Sequence, residues 1–259
     1  MESSRRIGAG EADLGLNFSA PLILSLEAGN PVVVLAGIHI GCMEVVASPR
    51  IRTIGDLKGK RVGAGPPGSI ARAFLVSMLV YIGLDPAKDI EWVVQPVQKY
   101  VELLAAGQID ALVAFPPLAQ ELRARKIGRV VTVTTTDRPW SQYFCCMVEG
   151  NRAFVHQHPV ATKRVLRAVL KATGLCAVEP EPAARLVVAR RPWASYEYTV
   201  QALKEIPYAQ WRSYDPEDTL RFYALRLRDA GMIRSSPDAL IDRGTDWRFL
   251  TALKQELKG

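Results

Sequence analysis

The sequence predicts an α/β protein made of two lobes, and three observations support this prediction. Short β-branched runs alternate with amphipathic stretches of about 10 to 15 residues, a pattern typical of right-handed βαβ units and a mainly parallel sheet. The pattern G-x-x-D-x4-F occurs at Gly10 and again 97 positions later at Gly107. After residue 150 only helical patterns follow. We therefore expect two similar lobes of mainly parallel sheet flanked by helices, followed by a C-terminal helical part.

Composition limits the classes of protein that this chain can belong to. With 259 residues, 49% of them apolar, the chain can form buried hydrophobic cores, which excludes disordered and fibrous proteins. The net charge of +7 is spread along the chain; it favours anionic partners, but without a basic stripe or recognition helix we expect no nucleic-acid binding. The four cysteines form no C-x-x-C pair, and no apolar run approaches the ~20 residues that span a bilayer.

The middle of the chain carries the clearest alternation of elements. A strand ends in the turn Pro66-Pro67-Gly68-Ser69, and the apolar residues that follow recur with helical spacing until Gly83 and Pro86 stop the helix. A buried strand, a second amphipathic helix closed by Gly107, and further strand and helix signals come next. The predicted strands are 61–65, 90–94, 109–115 and 130–133, and the predicted helices are 70–82, 97–104 and 117–126.

The repeat also predicts that elements are missing from the first lobe. Each Gly-x-x-Asp turn is followed by a strand, a helical stretch and a β-branched run, at 31–34 in the first copy and 129–133 in the second. In the second copy, two strands and two helices also precede the turn. Their counterparts in the first copy would lie upstream of Met1, so we expect that the chain begins inside its first lobe, without an export signal.

Beyond Asp137 a short strand at 143–148 leads back from the second lobe, and helical patterns begin at Pro159 and near Leu220. Because these helices have no strands of their own, we expect them to pack on the first lobe. The predicted division assigns residues 1–45 and 146–259 to lobe I and residues 46–145 to lobe II.

Particular stretches resemble a known family. The segment 54–63, IGDLKGKRVG, is similar to the segment that opens the second lobe in substrate-binding proteins of nitrate, sulfonate and taurine ABC transporters. The stretches 107–111, 10–13 and 36–42 resemble other positions of that family. The resemblance implies a type II periplasmic binding-protein fold, capture of a small, anionic or aromatic solute in the interlobe cleft, and delivery to a membrane permease. It also implies a periplasmic monomer without cofactor, although the given residues contain no signal peptide.

The turn after the first strand of lobe II is the central candidate site. Gly63-Ala-Gly65-Pro-Pro-Gly68 fits G-x-G-x-x-G, but Pro66 and Pro67 remove backbone donors that a pyrophosphate would need. Gln95-Pro96 stands where a ribose-binding acid is expected, so we do not expect a dinucleotide. The free N–H groups at the start of the next helix suit a carboxylate or sulfonate instead. Ser69 can serve such a ligand or act only as the helix N-cap.

Further candidates lie at strand ends, where open α/β sheets bind ligands. Asn17 and Ser19 would supply polar contacts from the first lobe and Phe115 an apolar wall from the second; Phe18 can equally be core. Trp140 and Tyr143 precede the return segment, where they either close over a ligand or pack at a hinge. The full predicted ligand set is Asn17, Phe18, Ser19, His39, Gly41, Cys42, Gly68, Ser69, Ile70, Phe115, Pro116, Trp140 and Tyr143.

No pattern for metal binding or catalysis accompanies these residues. His39 and Cys42 have no further ligand at metal spacing, and the adjacent Cys145 and Cys146 point to opposite faces of a strand. H-E-x-x-H, G-x-S-x-G and the P-loop pattern are all absent. The remaining alternative is a thiamin-pyrimidine precursor-binding protein or synthase of similar fold, but Phe144-Cys-Cys-Met is too short for the iron motif of that enzyme. We therefore expect a solute-binding protein and not an enzyme.

Overall fold

A computed structural model describes residues 2–257. The chain divides into two compact units. Unit 1 comprises Met1–Ile40, Gln142–Val178 and Pro207–Gly259, and unit 2 comprises Gly41–Ser141 and Glu179–Ile206. The division differs from the predicted one chiefly in residues 179–206, which pack with unit 2 although they follow the return strand. Polar side chains of unit 2 hold this segment, as described below. The division also differs at the crossings, where residues 41–45 belong to unit 2 and residues 142–145 to unit 1.

Eight strands and twelve α-helices form these units within the described residues. The strands are β1 (Leu14–Phe18), β2 (Val32–Ile40), β3 (Glu44–Ala47), β4 (Lys60–Gly63), β5 (Ile90–Val93), β6 (Ala111–Ala114), β7 (Arg129–Val133) and β8 (Phe144–Asn151). The helices are α1 (Glu2–Gly8), α2 (Ser19–Glu27), α3 (Ile70–Tyr81), α4 (Val97–Ala105), α5 (Leu118–Ala124), α6 (Arg152–Gln157), α7 (Pro159–Val178), α8 (Pro180–Arg190), α9 (Tyr196–Glu205), α10 (Pro216–Asp229), α11 (Pro237–Gly244) and α12 (Arg248–Glu256).

Each unit has one sheet. In unit 1 the strand order is β1-β8-β2, and β8 runs antiparallel to both neighbours. In unit 2 the order is β5-β4-β6-β3-β7; β4 is parallel to β5 and β6, whereas β3 is antiparallel to β6 and β7. The prediction of mainly parallel sheets was therefore wrong for unit 1 and right for only half of the pairings in unit 2. Strands β3 and β8, which run antiparallel to their neighbours, follow the preceding strand without an α-helix in between.

The internal repeat is present in the structure as well as in the sequence. With the offset of 97 residues, α1, β1, α2 and β2 correspond to α4, β6, α5 and β7. The Gly10 N–H donates to the carbonyl of Ile7 at 3.0 Å, and the Gly107 N–H donates to Leu104 at 3.1 Å. Both glycines have positive φ, 79° and 67°, which a residue with a Cβ adopts only at a cost. Equivalent residues therefore make equivalent turns in the two units.

The helices α4 and α5 cover one face of the sheet of unit 2. Tyr100 and Leu104 from α4 and Leu122 from α5 pack with Val46 and Leu112 of the sheet, and all five are almost fully buried. This core fixes the position of both helix N-termini, which follow β5 and β6. The candidate site lies beside them, between the ends of β4 and β6.

Segment 179–206 is attached to unit 2 through a partly buried polar cluster. Arg123 Nη2 lies 2.5 Å from Glu205 Oε2 of α9, and the Gln120 amide donates to the same oxygen at 2.9 Å. Arg123 Nη1 also lies 3.6 Å from the buried carboxylate of Glu44. The pKa of Glu44 is raised, because the effect of burial is larger than the opposing effect of Arg123. The cluster explains why α9 packs on α5, a contact that no hydrophobic pattern in the sequence indicates.

None of the helices within residues 2–257 is both long enough and apolar enough to cross a membrane.

Candidate functional site

The candidate site in unit 2 lies between the carboxyl ends of β4 and β6. The chain leaves β4 through α3 and returns to β5 on one side, and it leaves β6 through α5 and continues to β7 on the other side. Crossovers between parallel strands are right-handed as a rule, which places α3 and α5 on opposite faces of the sheet. The crevice between two adjacent strands whose helices leave to opposite faces is where open α/β sheets bind ligands.

The turn from β4 to α3 is held by its own backbone and by one tyrosine. Gly65 and Gly68 both have φ of 77°, so the turn needs residues without a Cβ at these positions. The Gly65 N–H donates to the Tyr100 hydroxyl at 2.9 Å, and this hydroxyl also accepts from the Gln95 N–H at 3.0 Å. Since Tyr100 Oη donates in turn to the Val93 carbonyl at 3.1 Å, it joins the ends of β4 and β5.

Ser69 begins helix α3 as its N-cap. Its hydroxyl accepts from the Arg72 N–H at 3.4 Å and donates to the Ala64 carbonyl at 2.7 Å. The N–H groups of Ile70 and Ala71 have no acceptor among residues 2–257, as expected for the first turn of a helix. The N-cap interpretation of Ser69 is therefore confirmed, and the same turn presents two unused amides to an anion. Ligand binding by Gly68, Ser69 and Ile70 remains a prediction.

Arg72, which is not among the predicted site residues, adds a positive charge to this turn. Its guanidinium lies 4.4 Å from the centroid of the Trp92 ring, and no carboxylate of the described residues lies within 4 Å of it. Partial burial lowers the pKa of Arg72. A cation in the first turn of a helix opposes the helix dipole, so an arginine three residues after an N-cap is a signal that could have identified it.

Phe115 and Pro116 follow β6 directly and are half-buried, so they stand beside the turn after β4. Trp140 does not lie there. It is 5% exposed and packs edge-on against Phe74 and Tyr81, with centroid distances of 5.8 and 5.6 Å. These partners lie in the middle and at the end of α3, away from its N-terminus, which favours the packing interpretation of Trp140.

In unit 1 the polar candidates take part in buried hydrogen bonds. Asn17 Nδ2 donates to Ser4 Oγ at 2.7 Å, and Ser4 Oγ donates to Glu149 Oε1 at 2.9 Å. The pKa of Glu149 is raised, because the effect of burial is larger than that of the hydrogen bonds from Ser4 and Asn17, which lower it. Ser19 Oγ donates to the Phe144 carbonyl at 2.6 Å, while Phe18 is half-buried. Ligand contacts by Asn17, Phe18 and Ser19 stay predictions, and Ser19 could contribute only its lone pairs.

The remaining candidates also have neighbours within their own unit. In unit 1, His39 is 7% exposed with its ring edge-on to Tyr208 at 5.0 Å, and Tyr143 stacks on Phe222 at 3.8 Å. In unit 2, the Cys42 N–H donates to Thr134 Oγ1 at 3.0 Å. A Cβ on the neighbouring Gly41, where φ is 50°, would lie 2.3 Å from the Thr134 carbonyl oxygen. Ligand roles for His39, Gly41, Cys42 and Tyr143 stay predictions.

Solved structures with the same fold include binding proteins and an enzyme. The alkanesulfonate-binding protein SsuA of Xanthomonas axonopodis pv. citri, bound to MOPS, superposes with a TM-score of 0.75 at 18% identity over 95% of this chain and 84% of that one. The periplasmic nitrate-binding protein NrtA of Synechocystis PCC 6803 gives 0.79 at 15% identity over 99% and 77%. The desulfurization enzyme DszB gives 0.65 at 18% identity over 94% and 85%.

The predicted fold class is thereby confirmed: the chain has the periplasmic binding-protein fold. No curated protein sequence matches this chain. A sequence profile of the NMT1-like family, in contrast, matches residues 2–191, nearly three quarters of the chain. The protein therefore belongs to the NMT1-like family.

Proposed function

We propose that this protein is the solute-binding component of an ABC importer and that its solute is a small organic anion. The observation that carries the proposal is the turn from β4 to α3. The N–H groups of Ile70 and Ala71, unused within residues 2–257, and Arg72, whose guanidinium has no carboxylate partner there, all belong to the first turn of a helix at the switch point of the sheet. Two amide donors, a helix dipole and a cation together suit a sulfonate, a carboxylate or nitrate.

The similarity to solved structures also supports this assignment. Two proteins with this fold are described as binding alkanesulfonate and nitrate, which are anions of the kind that the turn can hold. By the same likeness, the protein would act outside the cytoplasm and deliver its solute to a membrane permease. Its monomeric state remains a prediction.

Calorimetry and thermal shift can test the proposal with methanesulfonate, nitrate, benzoate and a pyrimidine. We expect at least one anion to bind and to raise the melting temperature. Arg72→Gln should weaken its binding roughly 10- to 100-fold, since hydrogen bonds to charged groups contribute about 1.5–3 kcal/mol. Arg190→Gln, which removes an exposed arginine at the end of α8, is the control and should leave binding unchanged. Equal affinities of the Arg72 variant and the parent would contradict the site, and binding of the pyrimidine alone would favour the thiamin-precursor alternative.

A second measurement separates binding from catalysis. Because a desulfurization enzyme shares the fold, each bound sulfonate is incubated with the protein and then analysed by mass spectrometry. A binding protein returns the sulfonate unchanged. Release of sulfite would show that the protein is an enzyme and would overturn the proposed role.

A further inference from the structure

Unit 2 contains a groove between the start of α4, the turn that follows β6, and the start of α9 with the loop before it. Its volume of about 700 Å³ is within the range of pockets that hold small organic molecules. None of residues 64–72, which form the turn from β4 to α3, lines this groove. The groove is therefore separate from the turn to which the anion is assigned.

Three aromatic side chains from three parts of unit 2 line the groove. Phe115 directly follows β6, Trp193 belongs to the loop between α8 and α9, and Tyr198 lies in the first turn of α9. Trp193 is 75% exposed, so most of its ring is open to a bound molecule. Aromatic rings attract a cation to their faces, because each ring has a negative face and a positive edge. These side chains therefore suit a cationic group with an apolar surface.

Hydrogen bonds hold the loop and the helix that carry two of the rings. The Ala194 N–H donates to the Arg191 carbonyl at 2.9 Å, which closes a turn around Trp193. Ser195 Oγ accepts from the Tyr198 N–H at 3.3 Å and so caps the start of α9. The polar cluster described above attaches the other end of α9 to α5. The backbone that presents both rings is therefore fixed without a bound ligand, which lowers the entropic cost of binding.

The charged side chains of the groove leave it with a net negative charge. Glu102 and Glu121 line the groove, and Arg125 is the one cation that does so in the described part of the chain. Arg125 Nη1 lies 2.6 Å from Glu121 Oε1, so these two charges neutralise each other. Glu102 has no cation within 4 Å among residues 2–257. A positive charge is therefore favoured in the groove and a negative one is repelled.

We propose that this groove is a second binding site and that its ligand is an organic cation, a quaternary ammonium or alkylammonium group on an aromatic or aliphatic body. The rings of Phe115, Trp193 and Tyr198 pack against the cationic group, and Glu102 supplies the opposite charge. Because an exposed ion pair contributes little by itself, the rings provide most of the affinity and Glu102 adds selectivity for a cation. The cation site does not depend on the proposed function, since no residue of the turn from β4 to α3 takes part in it.

Three probes with the same ring and different polar groups test the site by calorimetry: benzyltrimethylammonium, benzyl alcohol and benzenesulfonate. We expect benzyltrimethylammonium to bind with a Kd of about 1 mM or lower, and the other two to bind at least roughly fivefold more weakly. Raising the salt concentration from about 50 mM to about 500 mM should weaken binding of the cation, because salt screens its attraction to Glu102. Any binding of the uncharged benzyl alcohol should not change with salt.

Two variants locate the site. Trp193→Ala should weaken binding of benzyltrimethylammonium roughly tenfold, because it removes the most accessible ring. Glu102→Gln keeps the shape of the side chain and should weaken binding about two- to fivefold, with a smaller effect of salt. Both positions are exposed, so the variants should fold normally. The matched controls, Leu186→Ala on α8 and Glu91→Gln on β5, change exposed residues outside the groove and should leave binding unchanged.

Several outcomes would overturn the cation site. Equal affinity for the three probes would do so, as would the absence of benzyltrimethylammonium binding. Binding that survives both Trp193→Ala and Glu102→Gln would refute the groove as its location. In sedimentation of the protein without probe, a dimer that Trp193→Ala dissociates would assign the groove to a second copy of this chain instead.

The cation site and the proposed function can be tested separately on the same variants. Arg72→Gln should leave binding of benzyltrimethylammonium unchanged, and Trp193→Ala should leave binding of methanesulfonate unchanged. Failure of every anion to bind would therefore overturn the proposed function alone, whereas failure of benzyltrimethylammonium to bind would overturn the cation site alone.

Discussion

Strands β1 and β6 occupy equivalent positions in the two repeats, yet their side chains are buried very differently. Leu16 in β1 is 54% exposed, whereas Val113, 97 positions later in β6, is 4% exposed. β6 lies between β4 and β3, but β1 pairs only with β8 within residues 2–257. The repeated strand pattern therefore does not determine burial. Burial depends on whether the strand has a second neighbouring strand and on the helix that follows that neighbour. In unit 2, β4 and α3 fill these two places beside β6.

The opposite faces of these strands differ in chemistry. Against α1, unit 1 buries Ser4, Asn17 and Glu149, which hydrogen-bond to one another. The equivalent positions in unit 2 are Val101, Ala114 and Val46, which are apolar. One backbone arrangement thus accepts either a hydrophobic contact or a hydrogen-bonded polar cluster, in which only Glu149 Oε2 has no hydrogen-bond partner among the described residues.

The largest predicted effect compares Val113→Asp with Leu16→Asp. Placing an unpaired carboxylate at the buried position should lower the free energy of unfolding by about 4 kcal/mol or more. The same change at Leu16 should cost less than about 1 kcal/mol, because its side chain already contacts water. Urea unfolding followed by circular dichroism measures both. Similar losses for the two variants would show that the β1 face is covered in solution.

The buried carboxyl of Glu149 should make the stability of the protein depend on pH. Because burial raises its folded-state pKa above the unfolded value, its contribution is fully present below about pH 4.5 and is lost as the pH rises through the folded pKa. Each unit of upward shift lowers the free energy of unfolding by about 1.4 kcal/mol at pH values above both pKa values.

Glu149→Gln keeps a polar group of the same shape and removes this titration. The decline in stability from pH 4.5 upwards should therefore be less steep in the variant than in the parent, as measured by urea unfolding at several pH values. Glu91→Gln, at an exposed position of β5, is the control and should leave the slope unchanged. A slope in Glu149→Gln as steep as that of the parent would mean that Glu149 is ionised in the folded protein.

Much of the fold could be predicted from the sequence because its signals are local. The repeat from Gly10 and Gly107, the N-cap at Ser69 and the strand end at Phe115 each follow from spacing within a few residues. The antiparallel direction of β3 and β8 could not be predicted, since strand direction depends on how distant segments pair. The attachment of α9 to α5 rests on Arg123 and Glu205, which are 82 positions apart and resemble ordinary surface charges in the sequence. Arg72 was not predicted, because α3 was identified from its apolar residues and Arg72 lies between them.

The smallest predicted effect concerns the residue that ends the second helix of each repeat. Gly29 follows α2 with φ of 78°, and its counterpart Lys126 follows α5 with φ of 55°. The hydrogen bonds match, since Gly29 N–H donates to Leu26 at 3.1 Å and Lys126 N–H donates to Arg123 at 3.1 Å. A left-handed backbone costs lysine more than glycine, so Lys126→Gly should raise the free energy of unfolding by about 0.5–1 kcal/mol. Gly29→Lys should lower it by a similar amount, because a Cβ at Gly29 meets no atom within 4 Å and only the backbone conformation opposes the change. If Lys126→Gly destabilises the protein instead, the lysine side chain contributes more at this position than the strain it imposes, and the two helix ends are equivalent in geometry but not in energy.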